Sequence, residues 1–248
     1  MCGGRLLLKQ LVRLEKSWRH FGEVLPVVKF GSDALVIANY LGRDFTIPLR
    51  AEGVAPPSVF IRKYPFVVEG FVVLDIGAYL GDTVLFWLHK KASKVIAVEP
   101  VPFHFRFLEI NTMGLPVECL NVAIGAEVPD VPLCEGSMRY GLEAPYDEVA
   151  TIKVPVSSLT ELVAKYKPDV VKLNCEGCEH YVVDDLSTFP SLGVKKVVVD
   201  FHDTSNYGAH ETLEKVRKRL GDGKILHERT SRLGSGKSVR IISVLWEF

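Results

Sequence analysis

Between residues 70 and 248, short apolar runs alternate with amphipathic segments, and this alternation limits the folds open to the chain. The seven runs of strand length are FVVLDI (71–76), KVIAVE (94–99), VECLNV (117–122), DVVKLN (169–174), VKKVVVDF (194–201), KILHER (224–229) and SVRIISVLWEF (238–248). Such alternation is typical of a parallel sheet covered by helices. The last two runs are joined by TSRLGSGK, which is too short for a crossover helix, so we expect them to pair antiparallel.

Five amphipathic segments lie between these runs and are predicted helices. They are DTVLFWLHKKA (82–92), PFHFRFLEINTM (102–113), SLTELVAKY (158–166), EHYVVDDL (179–186) and AHETLEKVRKRL (209–220). The third begins with a capping box, because Ser158 is followed three residues later by Glu161. This pair predicts where that helix starts.

The front of the chain follows another pattern, and we expect residues 1–69 to form a small appendage of one helix and short strands. The helical stripe over residues 5–19 consists of Leu7, Leu11, Leu14 and Trp18. Strand-like segments over residues 27–48 are separated by turn signals at Gly31-Ser32 and Gly42-Arg43. Residues 70–248 are the predicted main domain, with residues 126–156 as a hairpin or loop insertion rich in proline.

Composition and charge exclude some classes of protein. A chain of 248 residues with 48% hydrophobic content can bury a sizeable core. Thirty basic residues balance thirty acidic ones, so no overall field favours nucleic acid or anionic lipid as a partner. No run approaches the roughly eighteen apolar residues of a membrane span. Five cysteines in a chain of this length do not form a disulfide scaffold, and we expect a cytoplasmic protein.

The stretch VVLDIGAYLGDT (72–83) breaks a strand at two glycines and restarts as a helix. Gly77 and Gly81 permit a tight turn and a close approach by a ligand, and the helix start favours an anion. A plain strand-to-helix turn fits the glycines equally well. Glu99, at the end of the next strand, is placed to accept both hydroxyls of a ribose, which favours a nucleoside cofactor.

The residues of the break distinguish between cofactors. A dinucleotide needs an opening for its pyrophosphate where this chain has the bulky Tyr79, so NAD is disfavoured. An acid two residues before Gly77 suits a ligand with an ammonium group. We therefore expect S-adenosyl-L-methionine, with its amino group at Asp75 and its carboxylate on the amides of the glycine turn.

Four stretches carry a family resemblance: VVLDIGAYLGDT, AVEP followed by Asn111, LNVAIG and KLNCEGCE. Together they resemble the motifs of the FkbM family of S-adenosylmethionine-dependent methyltransferases, over roughly residues 70 to 203. The resemblance implies an α/β fold with a seven-stranded Rossmann-like methyltransferase sheet. Its implied strand order is 3-2-1-4-5-7-6, with the last strand antiparallel.

The motifs and the resemblance together predict a set of cofactor-binding residues. They are Asp75, Gly77, Ala78, Tyr79, Gly81, Asp82, Thr83, Glu99, Pro100, Asn121, Ala123 and Asn174. The resemblance places Asn121 and Ala123 beside the adenine ring, although asparagine is also common in turns. Two positions depart from the family pattern: Tyr79 replaces an asparagine, and Asn174 replaces an aspartate at the tip of the fourth strand.

The predicted catalytic residues are His202, Glu176 and Glu179. His202 ends the fifth strand and ordinarily titrates near neutral pH, so it is the natural base for a hydroxyl substrate and ranks above His180. The two glutamates fit the family's E-G-x-E positions, and they equally fit acids that stabilise a helix start. No metal site is expected.

Two further points stay open in the sequence. We expect Cys175 and Cys178 to be buried thiols, with a disulfide or a zinc site as alternatives. The family association favours a hydroxyl acceptor on a small molecule or glycan. The alternatives are a catalytically silent nucleoside-binding module and an RNA methyltransferase with a basic face. That basic face would consist of Lys9, Arg13, Lys16 and Arg19.

Overall fold

The computed structural model of the chain describes residues 27–30, 33–48, 54–125, 130–134, 149–204, 207–232 and 238–248. The helix predicted over residues 5–19 lies outside this part of the chain. The described strands are β1 (Val27–Phe30), β2 (Asp33–Tyr40), β3 (Arg43–Pro48), β4 (Val72–Ile76), β5 (Lys94–Val98), β6 (Val117–Leu120), β7 (Ala123–Ile124), β8 (Asp130–Cys134), β9 (Val149–Lys153), β10 (Val156–Ser157), β11 (Val170–Leu173), β12 (Lys196–His202), β13 (Lys224–Arg232) and β14 (Ser238–Glu247). The described α-helices are α1 (Pro57–Lys63), α2 (Asp82–His89), α3 (Pro102–Thr112), α4 (Leu159–Tyr166), α5 (Val183–Leu186) and α6 (Ala209–Leu220).

A seven-stranded sheet forms the centre of the molecule, in the order β6-β5-β4-β11-β12-β14-β13. The five strands from β6 to β12 pair in parallel. Strand β14 runs antiparallel to both of its neighbours. In order of appearance along the chain this is 3-2-1-4-5-7-6, so the predicted fold class, strand order and terminal hairpin are confirmed.

Of the five helices predicted after residue 70, four are confirmed, and α1 (Pro57–Lys63) is a helix that the sequence analysis did not predict. Helix α6 has the predicted bounds, and the hydroxyl of Ser158 accepts a hydrogen bond from the Glu161 amide at the start of α4. The helix predicted over residues 179–186 is wrong, because the segment divides into a 3-10 turn (Cys178–His180) and the short α5. The physical reason is that the Glu179 side chain is drawn inward to the end of β12.

Helices cover both faces of the sheet and bury two apolar clusters. On one face, α1, α2 and α3 contribute Phe60, Trp87 and Leu108. On the other face, α4 and α6 contribute Leu159 and Val216. Burial of each large apolar side chain stabilises the fold by about 1.5–3 kcal/mol, so the two clusters supply most of the driving force.

The front strands β1 to β3 form a separate antiparallel sheet that packs on the first of these faces. Phe45 and Ile47 are fully buried in the same cluster as Trp87. The side-chain amide of Asn111 on α3 links this sheet to the glycine turn. It accepts from the Thr46 N–H of β3 at 2.7 Å and donates to the Leu80 carbonyl of the turn at 2.9 Å. The turn between β2 and β3 lies at residues 41–42, one residue before its predicted position.

Within the predicted insertion, β8 and β9 pair antiparallel, and residues 126–129 and 135–148 lie outside the described residues. The division of the chain into an appendage, a main domain and an insertion stays a prediction. In the described part of the chain, no helix combines the length and the apolar character needed to cross a membrane.

Candidate cofactor and acceptor site

Asp75, at the end of β4, is fully buried and bonded to the protein itself. One carboxylate oxygen accepts from Nζ of Lys172 at 2.6 Å, and the other accepts from Nε1 of Trp87 at 3.0 Å. Lys172 also donates to the carbonyls of Ile76 and Gly77. Asp75 is 0% exposed, and its predicted contact with a ligand ammonium stays a prediction. Through Lys172, Asp75 supports the carbonyls at the start of the glycine turn.

The glycine turn packs directly against the end of β11. Gly77 has φ +76°, and a Cβ atom on it would lie 1.9 Å from the carbonyl oxygen of Asn174. The N–H groups of Gly77 and Ala78 both donate to the carbonyl of Val98. These two amides are therefore occupied in this structure, and the contact of the turn with the cofactor carboxylate stays a prediction.

Glu99, after β5, holds the turn from the opposite side. Its two oxygens accept from the N–H groups of Tyr79 and Val101, each at 2.9 Å. The ring of Tyr79 packs edge-on against His104, with 4.5 Å between ring centroids. Oε1 of Glu99 also lies 3.5 Å from Nδ1 of His104, and the residue is 5% exposed, so its predicted contact with ribose hydroxyls stays a prediction.

The second half of the turn is buried. A Cβ atom on Gly81 would lie 3.1 Å from Leu108, so glycine permits the close packing of α2 on α3. Asp82 accepts from the amides of Ala55 and Thr83, and burial raises the pKa of its carboxyl to about 6. Among the described residues, the buried hydroxyl of Thr83 has no hydrogen-bond partner.

The predicted cofactor-binding residues thus divide by exposure. The partly exposed members, all near the carboxyl ends of β4, β5, β6 and β11, are Gly77, Tyr79, Pro100, Asn121 and Asn174. The buried members are Asp75, Ala78, Gly81, Asp82, Thr83, Glu99 and Ala123. Asn121 donates from its side chain to the carbonyls of Glu99 and Pro100, so it fixes the loop after β5.

The tip of β11 forms a tight loop closed by a disulfide. The sulfurs of Cys175 and Cys178 are 1.97 Å apart, so the expectation of two thiols is wrong and the disulfide alternative is the one in the structure. The spacing of three residues allows this bond because Glu176 and Gly177 both have positive φ values, +54° and +124°. The side chain of Glu176 is 50% exposed.

The two other predicted catalytic residues form a buried pair. Glu179 is fully buried, and one of its oxygens accepts from the backbone N–H of His202 at 2.9 Å and contacts Nδ1 of the same residue at 2.8 Å. Its other oxygen accepts from the Gly177 amide. Burial alone would raise the pKa of Glu179, but the imidazolium of His202 holds it below its usual value.

The same pair changes the protonation of His202. Burial alone would lower the pKa of His202, but the carboxylates of Glu176 and Glu179 raise it to about 9. A protonated imidazole has no free lone pair for a substrate proton, so the two acids that stabilise its charge disfavour His202 as the base. The catalytic role of His202 stays a prediction.

Sequence reasoning missed a buried cluster of charged and polar side chains on the face of the sheet that packs against α1 and α2. Besides Lys172 and Trp87, it includes Asp200, whose carboxylate accepts from Lys63 and from the Tyr64 hydroxyl. Burial alone would raise the pKa of Asp200, but Lys63 holds it below its usual value. A lysine in the middle of an apolar strand was the available signal for this cluster, since a buried charge needs a partner.

One group of described side chains has metal-ligand chemistry. The sulfurs of Cys175 and Cys178 and a carboxylate oxygen of Glu179 lie within 4.8 Å of one another. Both sulfurs are in the disulfide, so neither is available as a thiolate ligand.

A mostly parallel sheet with this strand order, a glycine turn after its first strand and an acid after its second are typical of a Rossmann-like methyltransferase. The comparison with known families agrees, because residues 75–232 match the Methyltransferase FkbM domain. The chain belongs to this family and is an S-adenosylmethionine-dependent methyltransferase. A search of curated proteins gives no match.

Solved structures show a similar fold at low sequence identity. Trm5b from Pyrococcus abyssi is 14% identical, with 91% of this chain and 64% of that chain covered and a TM-score of 0.49. TYW2 from Pyrococcus horikoshii in complex with MeSAdo is 17% identical, with 94% and 81% covered and a TM-score of 0.47. The aTrm5 chain in the complex of aTrm5 with tRNALeu is 13% identical, with 89% of this chain and 54% of that chain covered and a TM-score of 0.50. This chain therefore spans less than two thirds of Trm5b and of aTrm5.

Proposed function

We propose that this enzyme methylates a hydroxyl oxygen on a small molecule or glycan, with Glu176 as the proton acceptor. The observation that carries the proposal is the exposure of this one carboxylate at the tip of β11. Glu179, the other predicted acid there, is fully buried and bonded to His202. A hydroxyl must lose its proton during methylation, and an exposed carboxylate at the carboxyl edge of the sheet can take it.

His202 supports this role as a fixed positive charge. Its Nε2 lies 3.6 Å from an oxygen of Glu176, and its Nδ1 faces Glu179. The positive charge of the imidazolium attracts the Glu176 carboxylate and helps to hold it at the tip of β11. We therefore assign the base role to Glu176 and a positioning role to His202 and Glu179.

The residues around the crevice fit S-adenosylmethionine by their chemistry. We propose that Tyr79, Pro100, Asn121 and Asn174 line its binding site, because their side chains are partly exposed at the carboxyl edge. Glu99 would accept the ribose hydroxyls, and the cofactor would supply a methyl group on a positively charged sulfur. Asp75 acts indirectly, since it holds Lys172 and through it the glycine turn.

Paired measurements on E176Q test the proposal. We expect the E176Q variant to bind S-adenosylhomocysteine like the wild type and to lose about 100-fold in kcat, as removal of a general base does. The matched control is E109Q, since Glu109 is an exposed glutamate on α3, and we expect it to change kcat less than about twofold. Wild-type kcat in E176Q would refute the base assignment.

The acceptor class is tested with radiolabelled methyl donor and separate acceptor pools. Pools of hydroxylated small molecules, glycans and bulk tRNA are incubated with the full chain, and label in the first two supports the proposal. Label in tRNA alone would favour an RNA acceptor, and its binding should then weaken steeply with added salt. Calorimetric binding of S-adenosylhomocysteine without label in any pool would favour the catalytically silent alternative.

A further inference from the structure

The Cys175–Cys178 disulfide lies in the loop that connects the glycine turn, on the proposed cofactor side, with Glu176, on the proposed acceptor side. It closes the loop that follows β11, and the Cα atoms of the two cysteines are 5.4 Å apart. Cys175 is partly exposed, whereas Cys178 is 3% exposed. The disulfide therefore joins one cysteine near the surface to one in the protein interior.

On the cofactor side, this loop touches the glycine turn. The carbonyl of Asn174 and the Cα of Cys175 lie 1.9 Å and 3.3 Å from the position that a Cβ atom on Gly77 would take. The Asn174 amide also donates to the Ile76 carbonyl at 3.1 Å. A change in the loop is thus transmitted to the turn by direct backbone contact.

On the acceptor side, the same loop holds the proposed base. Glu176 lies inside the disulfide loop with φ +54°, a left-handed conformation that residues other than glycine rarely adopt. The Sγ of Cys175 lies 3.3 Å from Oε2 of Glu179, the acid that binds His202. An intact disulfide sulfur carries no hydrogen, whereas a Cys175 thiol at this distance would donate one to Glu179.

We propose that Cys175 and Cys178 form a thiol–disulfide exchange site for dithiols, whose redox state controls the β11 loop and hence the activity of the enzyme. The control of activity rests on the proposed function, whereas the exchange site itself does not. A reducing compartment such as the cytoplasm, where we expect this protein, would supply the dithiol.

The exchange balances in two steps. A thiolate of the dithiol attacks the more exposed Cys175 sulfur, forms a mixed disulfide and releases Cys178 as a thiolate. The second thiolate of the dithiol then attacks its own sulfur in the mixed disulfide and releases Cys175. The protein disulfide gains two electrons and two protons, and the dithiol becomes a cyclic disulfide.

Reduction has two consequences for the site. Without the covalent closure, Glu176 is free to leave its left-handed conformation and move away from Nε2 of His202. The loop then no longer fixes Asn174 against Gly77. We expect reduction to weaken both the binding of S-adenosylhomocysteine and the rate of methyl transfer, each about fivefold or more.

The first test measures the thiols directly. The full chain is equilibrated in buffers with different ratios of reduced to oxidised dithiothreitol, quenched in acid, unfolded, alkylated and analysed by peptide mass spectrometry. We expect Cys175 and Cys178 to become alkylated together as the ratio rises. Cys119, which is free in the structure, should be alkylated at every ratio and serves as the internal control.

The second test compares the two states of the folded protein. We expect faster hydrogen exchange over residues 174–180 and 77–81 after reduction, together with the weaker binding of S-adenosylhomocysteine. The C175S/C178S variant should behave as the reduced protein in every buffer, and C119S should respond like the wild type. Chemical reduction of the wild type gives the same comparison if the double variant does not fold.

Several results would overturn the proposal. Alkylation of both cysteines in fully oxidised buffer would show that the disulfide does not form, and protection of both in excess dithiothreitol would show that it does not exchange. Equal hydrogen exchange and equal affinity in the two states would remove the control. If neither state binds S-adenosylhomocysteine, the proposed function fails, and alkylation and exchange still decide the redox site.

Discussion

At Gly77 the fold cannot accommodate a side chain. Its positive φ and the 1.9 Å approach of the Asn174 carbonyl to a would-be Cβ act together. Gly70 has the same φ of +76° but nothing within 4 Å of its would-be Cβ. The two glycines therefore separate the cost of the backbone conformation from the cost of the clash.

We expect G77A to destabilise the protein by about 3 kcal/mol or more and to abolish binding of S-adenosylhomocysteine. G70A should cost only about 1–2 kcal/mol, the price of the left-handed conformation. Urea unfolding and calorimetric titration measure the two effects. Equal stability of the two variants would mean that the contact with Asn174 is absent in solution.

His202 predicts a pH dependence of stability. Its folded pKa of about 9 lies above the unfolded value of 6.5, so its stabilising contribution is complete below pH 6.5 and is lost as the pH rises through 9. At low pH this contribution is at most about 3 kcal/mol. We expect the stability difference between wild type and H202Q to shrink from pH 6 to pH 10.

Denaturant unfolding at several pH values measures this difference. H210Q is the matched control, because His210 is exposed on α6, and its difference from wild type should stay small at every pH. A difference for H202Q that does not change with pH would show that His202 is neutral in the folded protein.

At the scale of elements, β4 and β11 are joined by a buried ion pair as well as by backbone bonds. Asp75 and Lys172 are directly opposite in the register of the two strands and are 0% and 1% exposed in their side chains. Each alone would be an uncompensated charge in the core. Each of the two charges is therefore tolerated in the core only when the other is present.

We expect K172M to cost about 3–5 kcal/mol, because it leaves the Asp75 carboxylate buried without its cation. The D75N/K172M double variant should recover part of this loss, which a double-mutant cycle measures by urea unfolding. K91M is the control, since the Lys91–Glu69 pair is exposed and should contribute only about 0–1 kcal/mol. Strict additivity of the two core substitutions would contradict the pairing.

Elements were largely predictable because their signals are local. The period of the apolar residues located the sheet strands, and Ser158 located the start of α4. The segment over residues 179–186 was not predictable in this way. The side chain of its first residue, Glu179, binds His202, which lies 23 residues later in the sequence.

At the scale of the whole molecule, the front sheet shares its core with the main sheet. Five of its side chains are fully buried there: Val36, Ala38, Tyr40, Phe45 and Ile47. They cover the face that carries Trp87 and Val73. Removal of the front sheet would expose this face to water.

We therefore expect a variant that lacks residues 1–53 to lose cooperative thermal unfolding and to aggregate. In the full chain, F45A should cost about 3–5 kcal/mol by opening a cavity in the shared core. Differential scanning calorimetry measures both. A deletion variant that unfolds cooperatively near the wild-type Tm would show that residues 54–248 fold without the front sheet and would support a separate appendage.

The sequence by itself determined the positions of the sheet strands, the antiparallel terminal hairpin, the position of the glycine turn and the nucleoside cofactor class, because these follow from local period, spacing and residue type. The order of the strands followed from the family resemblance of the motifs. Only the tertiary structure decided that Asp75 faces Lys172, that Glu99 binds backbone amides and that two carboxylates raise the pKa of His202. These depend on partners brought together across the sheet, and a side chain's charge and orientation are set by the groups that surround it.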